Sequence, residues 1–297
     1  MYKNRYKFKV GSMILSAAFI VLTTASLGGC SYKAKIEKET TNSESEENVK
    51  EHKELEDFNK INADVDTGEV KIVKGDKYVI ETDYDSKRYK VTYEVKGGEL
   101  VVHGENKDKE LTFFNWGNNK SIKIRIYVPE DKINEINMDM GSGNSKIKSI
   151  SADKLKIDCG SGNVEIENAD YNKMNIEMGS GNFDGDKIKC DEMNVQSSSG
   201  IICCDSLETN MLNIKTSSGN IDLEGELKGK NTIEASSGCI DIKTSLSKKD
   251  YSYDISCNSG EIEVDGEEMK NKYKNNNISA PNSFNIECSS GDINIRF

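Results

Sequence analysis

Residues 155–168, LKIDCGSGNVEIEN, set a Gly-Ser-Gly-Asn turn between two runs of alternating apolar residues. Such a turn can fold backbone N–H groups around a phosphate, so one copy would point to nucleotide chemistry. Seven cysteines beyond Cys30 (Cys159, Cys190, Cys203, Cys204, Cys239, Cys257 and Cys288) offer thiol, metal or disulfide chemistry. Their spacing fits no zinc knuckle and no redox Cys-x-x-Cys pair. Carboxylates are abundant, and His103 is the only histidine after the charged segment that carries His52. Alternation with Val102 turns His103 outward, which leaves no serine–histidine–acid set to argue from.

Counting the turn changes its meaning. MGSGNSKI, CGSGNVEI, MGSGNFDG, SSSGIICC, TSSGNIDL, ASSGCIDI, CNSGEIEV and CSSGDINI place glycines at 143, 162, 181, 200, 219, 238, 260 and 291. Five successive intervals are 19 residues, followed by 22 and 31. INADVDTGEVKI, on Gly68, and VTYEVKGGELVV, on Gly98, fit the same template. Ten copies of one pattern are a repeat architecture, not ten phosphate sites.

Apolar residues alternate with polar ones on both sides of each glycine, as in Leu155, Ile157 and Cys159 before Gly162 and Val164 and Ile166 after it. Period two means strands with one buried face. A weaker apolar position at Ile150, Ala169, Ile188 and Leu207 implies a short third side. One such coil cannot bury enough to fold alone, so coils must stack. The expected fold is all-β, a parallel right-handed β-solenoid of 19-residue coils. Ten rungs about 4.8 Å apart would give a body roughly 45–50 Å long. The alternative is an antiparallel β-sandwich, whose hairpins give a similar local pattern. Stacking is favoured because serine recurs before the glycine, at Ser142, Ser161 and Ser180, and asparagine after it, at Asn144, Asn163 and Asn182. In a stack these form vertical ladders, with amide side chains bonded up and down. The glycine suits a corner that needs positive φ.

The segment SIKIRIYVPEDKINEINMDMGSGNSKIKSISADKLKIDCGSGNVEI carries a strand ending in Val128-Pro129 and then serial Ser-Gly-Asn units. It resembles the bacterial putative-adhesin domain, a repetitive β-helical surface domain without an assigned activity. The resemblance spans most of residues 58–297 and implies surface adhesion. Some members of that family are linked to envelope stress and antimicrobial-peptide responses, which makes a sensor role the alternative here.

Stacking sets the reading of the remaining chemistry. Cys159, Cys257 and Cys288 share an inward slot and read as small buried hydrophobes, with a metal site as the rival. Cys257 and Cys288 on successive rungs invite a disulfide. Glu165, Asp184, Asp222, Asp241 and Glu263 share the outward slot three after the glycine. Asp139, Asp158, Glu177, Glu234 and Glu287 share the slot four before it. Such columns are either solvated faces or a surface for divalent cations or cationic peptides. No EF-hand loop or calcium nonapeptide is present, and no cofactor is implied. A β-helical enzyme acting on polysaccharide through carboxylates is a third reading; the main one is non-catalytic. Two insertions break the repeat, at about 104–121 and at 265–283. The first clusters Phe113, Phe114 and Trp116, which either cap the stack or contact a ligand. The second reads as a loop, and a last strand running to Phe297 would leave an open edge able to self-associate.

The N-terminus has the build of an export signal over residues 1–29: Lys3, Arg5, Lys7 and Lys9, an apolar run, then Leu-Gly-Gly-Cys. That ending resembles a lipobox, which makes Cys30 the expected lipid-attachment residue and the membrane a partner through acyl chains. Loss of those four positive charges takes the net charge from −11 to −15, a poor balance for binding nucleic acid. Residues 30–56 read as a polar tether, with a short amphipathic helix near 49–55 as an option, and the solenoid domain follows over 57–297. The expected protein is a lipid-anchored surface module on the extracytoplasmic face of a cell membrane. Cys30→Ala should abolish incorporation of labelled palmitate and release the chain from membranes; retained label would remove the anchor.

Overall fold

The computed structural model describes residues 48–107, 121–129, 132–275 and 277–297. The unit formed by residues 45–297 is all-β, built mainly from parallel in-register strands. It is a β-solenoid, and the sandwich alternative falls because the repeat strands pair side by side in parallel. Strand Lys132–Lys148 shows the local logic: Ile136, Met138 and Met140 are buried before its corner and Ile147 after it, with polar residues between.

The corners stack in the order Gly68, Gly143, Gly162, Gly181, Gly200, Gly219, Gly238, Gly291, Gly260. Glycine is required chiefly because the backbones approach so closely. A Cβ on Gly162 would lie 1.8 Å from the carbonyl oxygen of Gly143, and one on Gly143 would lie 2.3 Å from that of Gly68. Gly162 also has φ +146°, whereas Gly143 lies outside the left-handed region, so positive φ is not the common cause.

The asparagines bond differently from an amide ladder. Asn144 Oδ1 accepts from the backbone N–H of Asn163 at 3.0 Å, Asn163 Oδ1 from that of Asn182 at 3.2 Å, and Asn182 Oδ1 from that of Ile201 at 3.0 Å. Each side chain thus caps a corner N–H on the next rung. Asp292, with only acceptors, does the same for Glu261 at 3.0 Å.

Both ends depart from simple sequential stacking. Gly98 is not a rung corner: Gly97 and Gly98, at φ +61° and +78°, turn the antiparallel hairpin of Tyr89–Lys96 and Glu99–Asn106. Glu99–Asn106 and Lys123–Val128 together form an outer rung on the Gly68 rung. Antiparallel strands cover it, Tyr89–Lys96 on one half and Val79–Asp85 on the other. Asn48–Glu54 pairs outside Val79–Asp85, which corrects the tether and the helix option over these residues. This strand is largely exposed and is fixed by its ladder and by cross-strand pairs, His52 with Glu81 at 3.0 Å and Glu54 with Lys77 at 2.9 Å.

At the far end the Gly260 rung is outermost, and the Gly291 rung lies between it and the Gly238 rung. The 265–283 insertion is therefore not just a loop. Its strands Glu267–Met269 and Lys272–Asn275 pair antiparallel over Ile262–Val264 and Tyr251–Ser259. The expected open edge at Phe297 does not exist, because Ile293–Arg296 has Ile240–Thr244 on one side and Ile262–Val264 on the other. Self-association through that edge loses its basis. Beneath it, Tyr251 stacks on Phe284 at 4.6 Å between centroids, with Phe297 at 5.4 Å.

A second column of corners falls at Ser149, Asn168, Lys187 and Ser206, all left-handed at φ +53° to +57°, followed by Gly225 at +151°. Four of these five positions hold side chains in a conformation that favours glycine.

The corner geometry fixes two outcomes in urea unfolding. Gly162→Ala should destabilise by about 3 kcal/mol or more, because neither the rung spacing nor the φ admits a Cβ. Asn163→Ala should cost about 1 kcal/mol while Asn163→Asp keeps most of the capping bond; equal losses for the two would reject the acceptor role.

Candidate functional site

Small and long side chains alternate on the outer surface just before each corner. Two residues before the glycine stand Gly160, Gly179, Ser198, Ser217, Ser236 and Ser289. Four before it stand Asp158, Glu177, Gln196, Lys215, Glu234 and Glu287. Register puts the first set in one column and the second beside it, so a floor of small residues runs below a wall of long ones. The result is a groove of about 740 Å³ along seven rungs, from the Gly162 rung to the Gly260 rung. At about 4.8 Å per rung that is roughly 29 Å. The floor is lowest at Gly160 and Gly179, where a Cβ would lie 2.5 and 2.4 Å from a neighbouring carbonyl oxygen.

The wall is unevenly compensated. Lys215 pairs with Glu234 at 2.9 Å. Among the described residues Asp158, Glu177 and Glu287 have no basic partner, and all three are exposed. The column continues outside the groove through Asp139 and Asp64, in register with Asp158. Burial raises the Asp139 carboxyl above its usual range, with Asp158 and Asp64 adding to the shift. His103 Nδ1 sits 3.2 Å from Asp64 Oδ2 at the end of this column, within hydrogen-bond distance.

Beneath the floor, Thr216 is 7% exposed, lines the groove, and its Oγ1 has no hydrogen-bond partner. Ser197, one rung away, donates its hydroxyl to the Ser199 carbonyl at 3.1 Å. Cys159 and Cys288 also reach the groove. Their thiols, and that of Cys257, donate to corner carbonyls of Gly143, Gly238 and Gly291 at 3.6, 3.7 and 3.0 Å. Cys257 and Cys288 are in register, yet all seven described cysteines are free thiols. Burial pushes Cys190 up to about 12 and Cys203 to about 11, so these remain protonated. Cys159, Cys257 and Cys288 are buried as expected, whereas Cys203 is half-buried and Cys239 is exposed.

The column three after the glycine is only partly acidic. Glu165 and Asp184 are in register, as are Asp222 and Asp241. Glu263 is separated from Asp241 by Asn294, since the Gly291 rung intervenes. Asn294 donates to Asp241 at 3.1 Å, and Lys146 pairs with Glu165. Burial is the main cause of the raised Asp184 and Asp222 carboxyls, with acidic neighbours second. Among the described residues no three of histidine, cysteine, aspartate and glutamate converge as metal ligands would. Cys30, Phe113, Phe114 and Trp116 lie outside the described residues.

Two features went unread in the sequence. Asn175, Asn194 and Asn213 form a true amide ladder, with Nδ2–Oδ1 distances of 2.9 and 3.4 Å; their 19-residue spacing was the available signal. The left-handed second corner had no such signal, since its residue types vary.

The Toastrack DUF4097 family model matches residues 58–296. No curated protein matches the chain. Among solved structures, a Bacteroides fragilis NCTC 9343 protein described as a putative adhesin is similar at a TM-score of 0.55 and 15% identity, over 85% of this chain and 98% of its own. A Parabacteroides distasonis ATCC 8503 protein described as a putative lipid binding protein is similar at a TM-score of 0.51 and 19% identity, over 84% of this chain and 96% of its own. At such identities the likeness is one of fold. The corner pattern, the stacked parallel rungs and the match over nearly all of the folded region together make this chain a member of the Toastrack DUF4097 family.

Proposed function

We propose that the protein is a non-catalytic binding module, held to the extracytoplasmic face of a cell membrane through lipid on Cys30, that engages an extended ligand along its groove. The carrying observation is the groove itself: it runs along seven rungs with a floor made mostly of glycine and serine beside a mostly acidic wall, and singles out no one point as a reaction centre. The adhesin description borne by a neighbour of the same fold supports the same direction. A second reading, an envelope sensor for cationic peptides, is favoured by the carboxylates of Asp158, Glu177 and Glu287, which have no basic partner among the described residues. The column of Glu165, Asp184, Asp222, Asp241 and Glu263 is a weaker cation surface, since Lys146 and Asn294 already occupy part of it.

Blocking the groove tests the proposal. Ser198 and Ser217 are exposed on its floor, so tryptophan at both positions fills it without entering the core. Cells carrying the full chain with Ser198→Trp and Ser217→Trp should lose attachment to surfaces coated with cell-wall or extracellular-matrix material, with envelope levels and melting temperature unchanged. Undiminished attachment overturns the groove as the binding surface. If deletion of residues 108–120 abolishes attachment instead, the contact belongs to Phe113, Phe114 and Trp116.

A further inference from the structure

A second surface, independent of the groove, lies at the N-terminal end of the stack. We infer that the outer edge of Asn48–Glu54 pairs antiparallel with the same strand of a second copy, joining two solenoids through one continuous sheet.

The edge is open. Val79–Asp85 and Tyr89–Lys96 both lie on the outer rung, so Asn48–Glu54, paired outside Val79–Asp85, stands one layer beyond them. Among the described residues no strand pairs with its far side. The ladder shows which backbone groups face that side. The Leu55 N–H donates to the Tyr78 carbonyl at 2.9 Å, which continues the register that sets Glu54 opposite Val79. Hydrogen-bonded pairs alternate along an antiparallel ladder, so Val49, Glu51, Lys53 and Leu55 turn their N–H and C=O groups inward. Those of Lys50, His52 and Glu54 therefore point out along the edge. No proline or glycine interrupts residues 48–55. The opposite end is blunted, since its outermost strands are three and four residues long.

The sequence of the edge identifies the partner. Val49-Lys50-Glu51-His52-Lys53-Glu54-Leu55 is a charge-complementary palindrome about His52. In an antiparallel pair centred there, Val49 stands opposite the second copy's Leu55, Lys50 opposite Glu54, Glu51 opposite Lys53, and His52 opposite His52. Opposite charges thus meet on both faces of the sheet. The backbone agrees, because this centring sets the outward-facing Lys50, His52 and Glu54 against one another as hydrogen-bonded pairs. Moving the dyad by one residue would put Glu51 or Lys53 against its own copy, a like-charge contact. The pairing also extends an alternation already present. Lys50 lies 3.6 Å from Asp83 and Glu54 lies 2.9 Å from Lys77, so the column would run Asp83, Lys50, then the second copy's Glu54 and Lys77. Charge deters an edge from pairing with chains at large; in this order it selects one partner.

Disulfide cross-linking in membranes of cells carrying the full chain tests the pairing. Cys239→Ser serves as the background, since Cys239 is the one exposed thiol among the described cysteines. The α-carbons of a hydrogen-bonded pair lie about 5.5 Å apart, within disulfide reach. His52→Cys should therefore give a covalent dimer under mild oxidation. Lys50→Cys or Glu54→Cys alone, each roughly 13 Å from its own copy, should give at least about ten-fold less, and co-expression of the two should restore the yield. His52→Pro removes an outward N–H and spares the bonds to Val79–Asp85. Sedimentation of the full chain in detergent should show dimerisation of that variant weakened at least about ten-fold, with the melting temperature unchanged. Absence of the His52→Cys dimer overturns the inference, as does an equal yield from Lys50→Cys alone, which would mean random collision. Cross-linking only to a protein of another mass would give the edge to a different partner. A His52→Pro chain that dimerises as well as the wild type would place the interface elsewhere.

Discussion

The contact on which the structure depends is a backbone carbonyl pressed against a glycine α-carbon on the next rung. It recurs from Gly143 on Gly68 to Gly260 on Gly291. Because no side chain fits there, the corner sets the rung spacing and brings the strands on both sides into register. With register set, each slot becomes a column: the buried Met and Cys slots, the asparagine caps, the acidic wall and the small floor. The groove is a by-product of two adjacent slots, one kept small by close backbone approach and the next left free to vary.

Stacking also creates two ends, and the chain treats both alike. At each end an outer rung carries an antiparallel strand on each half, and the rung beneath it is contributed out of sequence order. The outer strands are short or charged, as in Lys272–Asn275 and Asn48–Glu54. Edges of that kind pair poorly with other chains. Uniform repeats would have left two hydrogen-bonding faces exposed.

The interior of the fold was legible because it obeys a period. Glycine at 19-residue intervals, alternating apolar residues and the wall acids could all be aligned from the sequence, and the structure stacks them as aligned. The ends were not legible, because there the period breaks. Gly98 looked like a corner but turns a hairpin, and the 22- and 31-residue intervals did not reveal that the Gly291 rung precedes the Gly260 rung in space. Strand Asn48–Glu54 lacked any apolar pattern, since an outermost polar strand is held by ladder bonds rather than burial. The groove was half visible: its acids were read as a column, but its depth depends on the small residues beside them, which had been read only as parts of the turn.

The place of the Gly291 rung bears on the order in which the chain assembles. Residues 282–297 leave the ribosome after residues 251–275, yet they must lie beneath them. The Gly260 rung and its two covering strands therefore have no finished layer to rest on until the later segment arrives. Up to the Gly238 rung the stack can grow in chain order, but there the order reverses, and the Gly291 rung must seat before the Gly260 rung. Until residues 282–297 are in place, the upper face of the Gly238 rung lacks the strands that cover it in the finished stack.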